Sequence, residues 1–277
     1  LKMYFGLSED QIFFQDNVKK FLEDNAPLDA VKKITEGADL STKNELHQGL
    51  INLGINNILI PEENGGLGLD LLFASAVSQS LGEGIATLPF VGPYVIAPIA
   101  IKYGASDSQK EKLFNEMSQN LINCGVGFSE YFGSRDSSDL SISNNKITGR
   151  TLFVLDVDFA SHVMLCDKKG QIGLVSLESK GIEIINLTTV DKTRTYKEMI
   201  FKDTPIEILD KTKTSIEAVE MALSAGRIVA AADSLGASQA MINKAVEYSK
   251  ERKQFNRVIG SFQAVKHMCA EMTAELE

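Results

Sequence analysis

The stretch from about Thr214 to Lys250 contains no proline and is rich in alanine. Read as one helix, it is on the order of 55 Å long at 1.5 Å per residue. Such a helix cannot bury its apolar positions alone and requires a bundle. After it, Gly260 breaks the pattern, Ser261 is read as the N-cap of a further helix, and that helix is still running at Glu277. A bundle of four needs more helices than this stretch supplies, so residues 214–277 are read as an incomplete helical bundle.

Two other zones precede it. Residues 1–120 read as an all-α domain. Ser8 with Gln11 three residues on forms a capping box, and Phe13, Val18, Phe21 and Leu22 supply the stripe of the first helix. Further helices begin at Ser41 or Thr42, at Asp70, and at Ser106 as cap. Gly54 ends the second, and the glycines of Pro61-Glu-Glu-Asn-Gly-Gly-Leu-Gly68 mark a tight loop. Leu88 to Ala100 is apolar, but it is short and carries Pro89, Pro93 and Pro98, so it reads as a buried segment and not a membrane span. Residues 121–213 change to strand grammar, with short Val/Ile/Leu/Phe-rich runs at 124–128, 147–155, 162–166, 172–177, 182–185 and 199–201. Strands at this spacing suggest a β-barrel-like domain. The fold class is α+β multidomain, in the order all-α domain, β domain, helical bundle.

Composition narrows the function. Hydrophobic residues make up 44% and charged residues 23%, the values of an ordinary globular chain. A net charge of -9 argues against nucleic acid or an anionic membrane as partner, so an anionic ligand needs a local basic cluster. Cys124, Cys166 and Cys269 have no metal-ligand spacing. Their sparse, odd count suits a reducing cytoplasmic setting, with all three as core residues. His47, His162 and His267 are scattered, so no metal is expected. No basic n-region followed by an apolar run opens the chain, so no secretory signal is read.

The local basic cluster lies in Tyr248-Ser-Lys-Glu-Arg-Lys-Gln-Phe-Asn-Arg-Val-Ile-Gly-Ser-Phe-Gln263. Arg252 can form a fork onto a phosphate, Phe255 can face an aromatic ring, and Gln263 can bond a polar edge. By itself the corner is more simply a solvated helix end. As a whole, however, the segment closely resembles the signature of the acyl-CoA dehydrogenase family. In that family the Arg meets the pyrophosphate of FAD bound by a neighbouring subunit, and the Phe and Gln meet its adenosine half. The resemblance carries these roles to Arg252, Phe255 and Gln263, with Gln254 nearby. Asn256 stands where the family has Gly, a mild change because Asn tolerates a left-handed backbone. Pro61–Gly68 is similar to the family's N-terminal glycine loop, and Arg227 matches an arginine placed near the substrate.

The middle zone departs further. Phe128-Ser-Glu-Tyr-Phe-Gly-Ser-Arg-Asp136 stands for the family's Thr-Glu-Pro-Gly-x-Gly-Ser-Asp. The resemblance puts Phe128 and Ser129 against the flavin and Ser134 near CoA or flavin. Phe153 replaces a Trp behind the flavin, and Leu155 replaces a hydroxyl residue that bonds flavin N5. The implied activity is that of a fatty acid or lipid metabolic oxidoreductase. It removes a Cα proton and a Cβ hydride from an acyl-CoA, with FAD as hydride acceptor and electron-transferring flavoprotein as a possible onward partner. A homo- or hetero-oligomer, a dimer of dimers, is expected. The family's base has two positions: one is expected beyond Glu277, and the other is Gly226. Glu217 and Glu220 are read as solvated, so no catalytic residue is named. Three readings stay open: a fragment of a working dehydrogenase, a non-catalytic partner subunit completing a neighbour's FAD site, and a related flavin oxidase or monooxygenase.

Overall fold

A computed structural model describes residues 6–37, 39–133 and 139–277. Six helices come first: α1 Glu9–Asn25, α2 Leu28–Thr35, α3 Leu40–Asn52, α4 Leu71–Glu83, α5 Ala97–Gly104 and α6 Asp107–Ser118. The capping box of α1 forms as read, with Gln11 N–H donating to Ser8 Oγ at 3.2 Å and Ser8 N–H to Gln11 Oε1 at 2.8 Å. α3 is capped by Asp39, whose Oδ1 accepts from Thr42 N–H at 3.0 Å, and not by Ser41 or Thr42. A carboxylate one turn earlier captures the free amide better than the hydroxyls that follow it. The α1 stripe also shifts. Val18 and Leu22 are buried, while Phe13 is 69% exposed. Phe14 takes its place, meeting Phe73 of α4 edge-on at 5.2 Å, because residues four apart share a face. The 61–68 loop folds back onto α6, where Asn64 Nδ2 donates to Asn115 Oδ1 at 3.0 Å.

The apolar 88–100 segment is buried, and Val91–Ile96 winds as a π-helix that leads into α5. Strands follow: β1 Cys124–Gly127, β2 Ser141–Ser143, β3 Lys146–Leu155, β4 His162–Cys166, β5 Ile172–Ser176, β6 Ile182–Asn186, β7 Tyr196–Pro205 and β8 Glu207–Ile208. They form an eight-stranded sheet in the order β6-β7-β3-β1-β4-β5-β8, with β2 on β3. Among the described residues β6 and β8 do not pair, so the sheet is open where a barrel-like closure was expected. The short strands β2 and β8 have too few apolar residues to show in the sequence.

Helix α7, Glu217–Glu251, runs 35 residues. Its first half holds the molecule together. Ala218, Val219, Ala222 and Leu223 share a core with α5, α6 and one face of the sheet. Ala225 and Val229 join the core of α1 to α4 and the π-helix. α4 and α7 cross at van der Waals limits. A Cβ on Gly82 would lie 1.9 Å from the Asp233 carbonyl oxygen, and one on Gly236 would lie 1.9 Å from that of Gln79. Past Gly236 only Ser249 of α7 is buried, and α8 (Gln263–Leu276) buries none of its residues. Met241, Tyr248 and Met268 stand exposed on this projecting pair. No helix among the described residues is long and apolar enough to cross a membrane.

Candidate functional site at the helix corner and the sheet edge

Between α7 and α8 the chain makes a hairpin of β9 Lys253–Gln254 and β10 Arg257–Val258. Its two turn residues, Phe255 (φ 52°) and Asn256 (φ 60°), are both left-handed. That is the geometry of a type I′ turn, which matches the twist of the flanking strands. Asn suits it, whereas Phe in this region is uncommon. The turn throws the Phe255 ring outward, 87% exposed and edge-to-face with Phe262, the ring centroids 6.1 Å apart. Arg252 caps α7 through its backbone N–H to Tyr248 O at 2.9 Å. Its exposed guanidinium makes no ion pair or side-chain hydrogen bond among the described residues. Arg257 instead lies over Phe262 at 3.9 Å. Among the described residues the Gln254 side chain bonds the Lys253 carbonyl alone, and exposed Gln263 opens α8. The N-cap of α8 is Phe262 and not Ser261, whose hydroxyl turns back to Val258 O at 2.7 Å. Arg252, Gln254, Phe255 and Gln263 thus share one exposed corner.

The second predicted group sits where β1 meets β3. β3 bulges there: Thr151 pairs with Met199 and Val154 with Lys197, so Leu152 and Phe153 oppose Glu198 alone. A bulge re-aims a side chain. Phe153, at φ 54°, turns its ring outward, 48% exposed, edge-on to Tyr196 at 6.2 Å. Phe128 is buried in the core shared with α7. Ser129 Oγ donates to Leu152 O at 2.5 Å and lies 3.4 Å from Thr151 Oγ1. The hydroxyl is therefore committed to the bulge, although its lone pairs can still accept. Arg227 is exposed on α7 with its guanidinium 5.2 Å from the Phe132 ring. Ser134 lies outside the described residues.

The base positions are likewise defined. Gly226 is buried under Ile96, whose side chain lies 2.9 Å from where a Cβ would stand. Glu217 is exposed, and Glu220 Oε1 accepts from the Tyr131 hydroxyl. No sequence reading singled out Glu130, which is fully buried. Its Oε1 accepts from Leu152 N–H at 3.3 Å, and its Oε2 has no partner among the described residues. Also missed were Asp156, Arg194 and Asp233, which line a cavity of about 250 Å³ between the sheet and α7. Burial pushes the Asp156 carboxyl up to about 6, against the pull of Arg194. Asp233 is raised for the same reason, although Arg194 Nη2 holds it at 2.8 Å. Asp156 carried one signal, a charge closing the apolar run Leu152-Phe-Val-Leu155; Arg194 carried none.

Helices on one side of a sheet, with a long helix tying them together, define a fold class that known structures share. Butyryl-CoA dehydrogenase from Megasphaera elsdenii superposes with a TM-score of 0.82 at 21% identity, over 99% of this chain and 77% of that one. Residues 8–120 match the family model for the acyl-CoA dehydrogenase N-terminal domain, and residues 216–277 match the one for the C-terminal domain. The chain belongs to the acyl-CoA dehydrogenase family. Among curated relatives it is similar to a 3-(aryl)acrylate reductase of Clostridium sporogenes, at 24% identity over 84% of this chain and 67% of that protein. It is also similar to a glutaryl-CoA dehydrogenase of Desulfococcus multivorans, at 28% identity over 99% and 76% of the two.

Members of the family are FAD-dependent flavoproteins. The residues of this chain suit that cofactor. An unpaired exposed guanidinium beside an uncovered phenyl ring offers a diphosphate a charge and a flat ring a face. On the sheet, the bulge holds a second uncovered ring at Phe153. Leu155 has no side-chain donor, so at that position the protein offers only backbone and apolar contact.

Proposed function

We propose that this chain is a subunit of an FAD-dependent acyl-CoA dehydrogenase, acting in the α,β-dehydrogenation of an acyl-CoA thioester. The observation that carries the reading is the Arg252–Phe255 corner, where a turn with two left-handed residues presents a bare cation and a bare ring on a projecting helix pair. In this reading Arg252 holds the cofactor's pyrophosphate as a charge-assisted fork. Phe255, Gln254 and Gln263 hold its adenosine half, in a site shared with a second subunit that packs on α7 and α8. Phe128, Ser129 and Phe153 frame the flavin from the sheet, and Ser134 and Arg227 face the thioester. FAD, when bound, supplies the hydride acceptor. Electron-transferring flavoprotein is the onward acceptor that the family resemblance suggests.

The two family positions for a base give this chain no carboxylate at Gly226, and we assign no catalytic base within it. Gly226 under Ile96, together with Leu155, favours a second reading: a subunit that completes a neighbour's FAD site without catalysing the reaction itself.

The corner is tested by titrating the assembled apoprotein with FAD. Losing hydrogen bonds to a charged group costs about 1.5–3 kcal/mol, so Arg252→Ala is expected to weaken FAD affinity roughly 10-fold to 150-fold. Lys250→Ala is the control, because Lys250 is exposed and pairs only with Glu247 at 2.7 Å. Equal affinities in the two variants would remove the corner from the cofactor site.

A further inference from the structure

The cavity between the sheet and α7 has no role yet in the reading above beyond sharing Leu155 with the flavin side of the sheet. Its volume of about 250 Å³ is below the roughly 300–1,000 Å³ of pockets that take a whole ligand, so it suits the end of one. One side is apolar, built by Leu81 of α4 with Leu88, Phe90 and Val91 ahead of and within the π-helix. Leu155, at the end of β3, is also in its wall.

The other side is polar and unbalanced. Arg194 is the one cation lining it among the described residues, and it is already committed. Its Nη2 donates to Asp233 Oδ1 at 2.8 Å and its Nη1 to Ala86 O at 2.5 Å. Asp156 is left over. It is only 9% exposed, its Oδ2 accepts one long bond from Gly92 N–H at 3.3 Å, and its other oxygen has no partner among the described residues. Its backbone is left-handed at φ 60°, so the carboxylate is fixed by an uncommon turn at the strand end and does not arise from a free surface rotamer. The unbonded oxygen is not sealed inside the protein, so a donor brought in from outside can reach it.

We propose that this cavity receives the distal end of the acyl group and selects a hydrogen-bond donor there, a hydroxyl or an ammonium, through Asp156. The inference rests on the reading of this chain as a binder of acyl thioesters. A methyl end would leave the carboxylate facing carbon. A carboxylate end would meet three carboxylates, Asp156, Asp191 and Asp233, against the single cation Arg194.

The experiment is equilibrium binding of length-matched thioesters to the full chain reconstituted with FAD: hexanoyl-CoA, 6-hydroxyhexanoyl-CoA, 6-aminohexanoyl-CoA and adipoyl-CoA. The hydroxyl- and amino-ended thioesters are expected to bind roughly 10-fold to 150-fold tighter than hexanoyl-CoA, the range for a hydrogen bond to a charged group, and adipoyl-CoA is expected to bind more weakly. Asp156→Asn keeps the shape and tolerates the left-handed backbone. It is expected to collapse the amino-to-hexanoyl affinity ratio towards one. Tightest binding of hexanoyl-CoA or adipoyl-CoA, or a ratio unchanged in Asp156→Asn, would overturn the inference. If thioesters bind without terminal preference, only this inference fails. If FAD binds and no thioester does, the acyl-CoA reading fails with it.

Discussion

Mixed anaerobically with a panel of acyl-CoA thioesters, the 277-residue chain reconstituted with FAD is expected to keep the visible absorbance of oxidised flavin. Removing a Cα proton needs a base within hydrogen-bond reach, and a positioned base is worth about 10²–10⁴-fold in rate. On α7 the position beside Arg227 is Gly226, with Ile96 packed over it. Glu220 is engaged by the Tyr131 hydroxyl, and Glu217 is exposed a full turn further towards the start of the helix. On the proposed placement of the flavin, Leu155 adds to the effect, because its side chain has no hydrogen bond to offer there. Bleaching should therefore be slower than in a dehydrogenase that holds a carboxylate at this position by at least the worth of the base. Addition of a second subunit that brings a carboxylate should restore it. Rapid bleaching by the chain alone would show that a base is present and would exclude the partner-subunit reading.

Replacing Gly236 by Val is expected to be the most damaging single change to the fold. The crossing of α4 and α7 is a backbone-to-backbone contact at two points, Gly82 on Asp233 and Gly236 on Gln79, and at each an added Cβ would lie only 1.9 Å from the facing carbonyl oxygen. Neither contact is with a flexible side-chain end, so the helices must separate. Overpacked cores lose about 1–3 kcal/mol and occasionally more, and this site should lie at the top of that range. The neighbouring Arg194–Asp233 pair and the Ser78 hydroxyl on Val229 O at 2.8 Å would be strained in the same movement. Urea unfolding should show a lower midpoint with an unchanged slope. Ala231→Val, on an exposed position of the same helix, serves as the control for helix propensity and should change the midpoint little. Equal midpoints for the two variants would mean that the crossing can yield.

Much of this was legible from residues. The capping box at Ser8, the helix that begins at Asp70, the long proline-free helix and the strand run 162–166 all follow from local chemistry, and the structure keeps them. The corner was legible because Arg252, Phe255 and Gln263 fall within twelve residues of one another. Other features depend on partners far along the chain. The π-helix at Val91–Ile96 arises where a proline-punctuated segment packs under α7, and helical periodicity does not report it. The bulge at Leu152–Phe153 is set by register against β7, about 45 residues on, and the sequence shows only an apolar run. Open and closed sheets differ in whether β6 meets β8, which strand spacing leaves undetermined. The Asp156–Arg194–Asp233 cavity draws its charges from the turn after β3, the segment before β7, and α7. No single window of sequence brings them together.

The central claim is that Arg252 and Phe255 belong to a cofactor site completed by a second subunit. It is tested most directly by sedimentation velocity of the FAD-reconstituted protein at micromolar concentration, followed at the flavin absorbance. The expected result is flavin sedimenting with an assembly of two or more chains, and loss of that flavin boundary in Arg252→Ala. Flavin sedimenting with a monomer and retained in Arg252→Ala would contradict the claim.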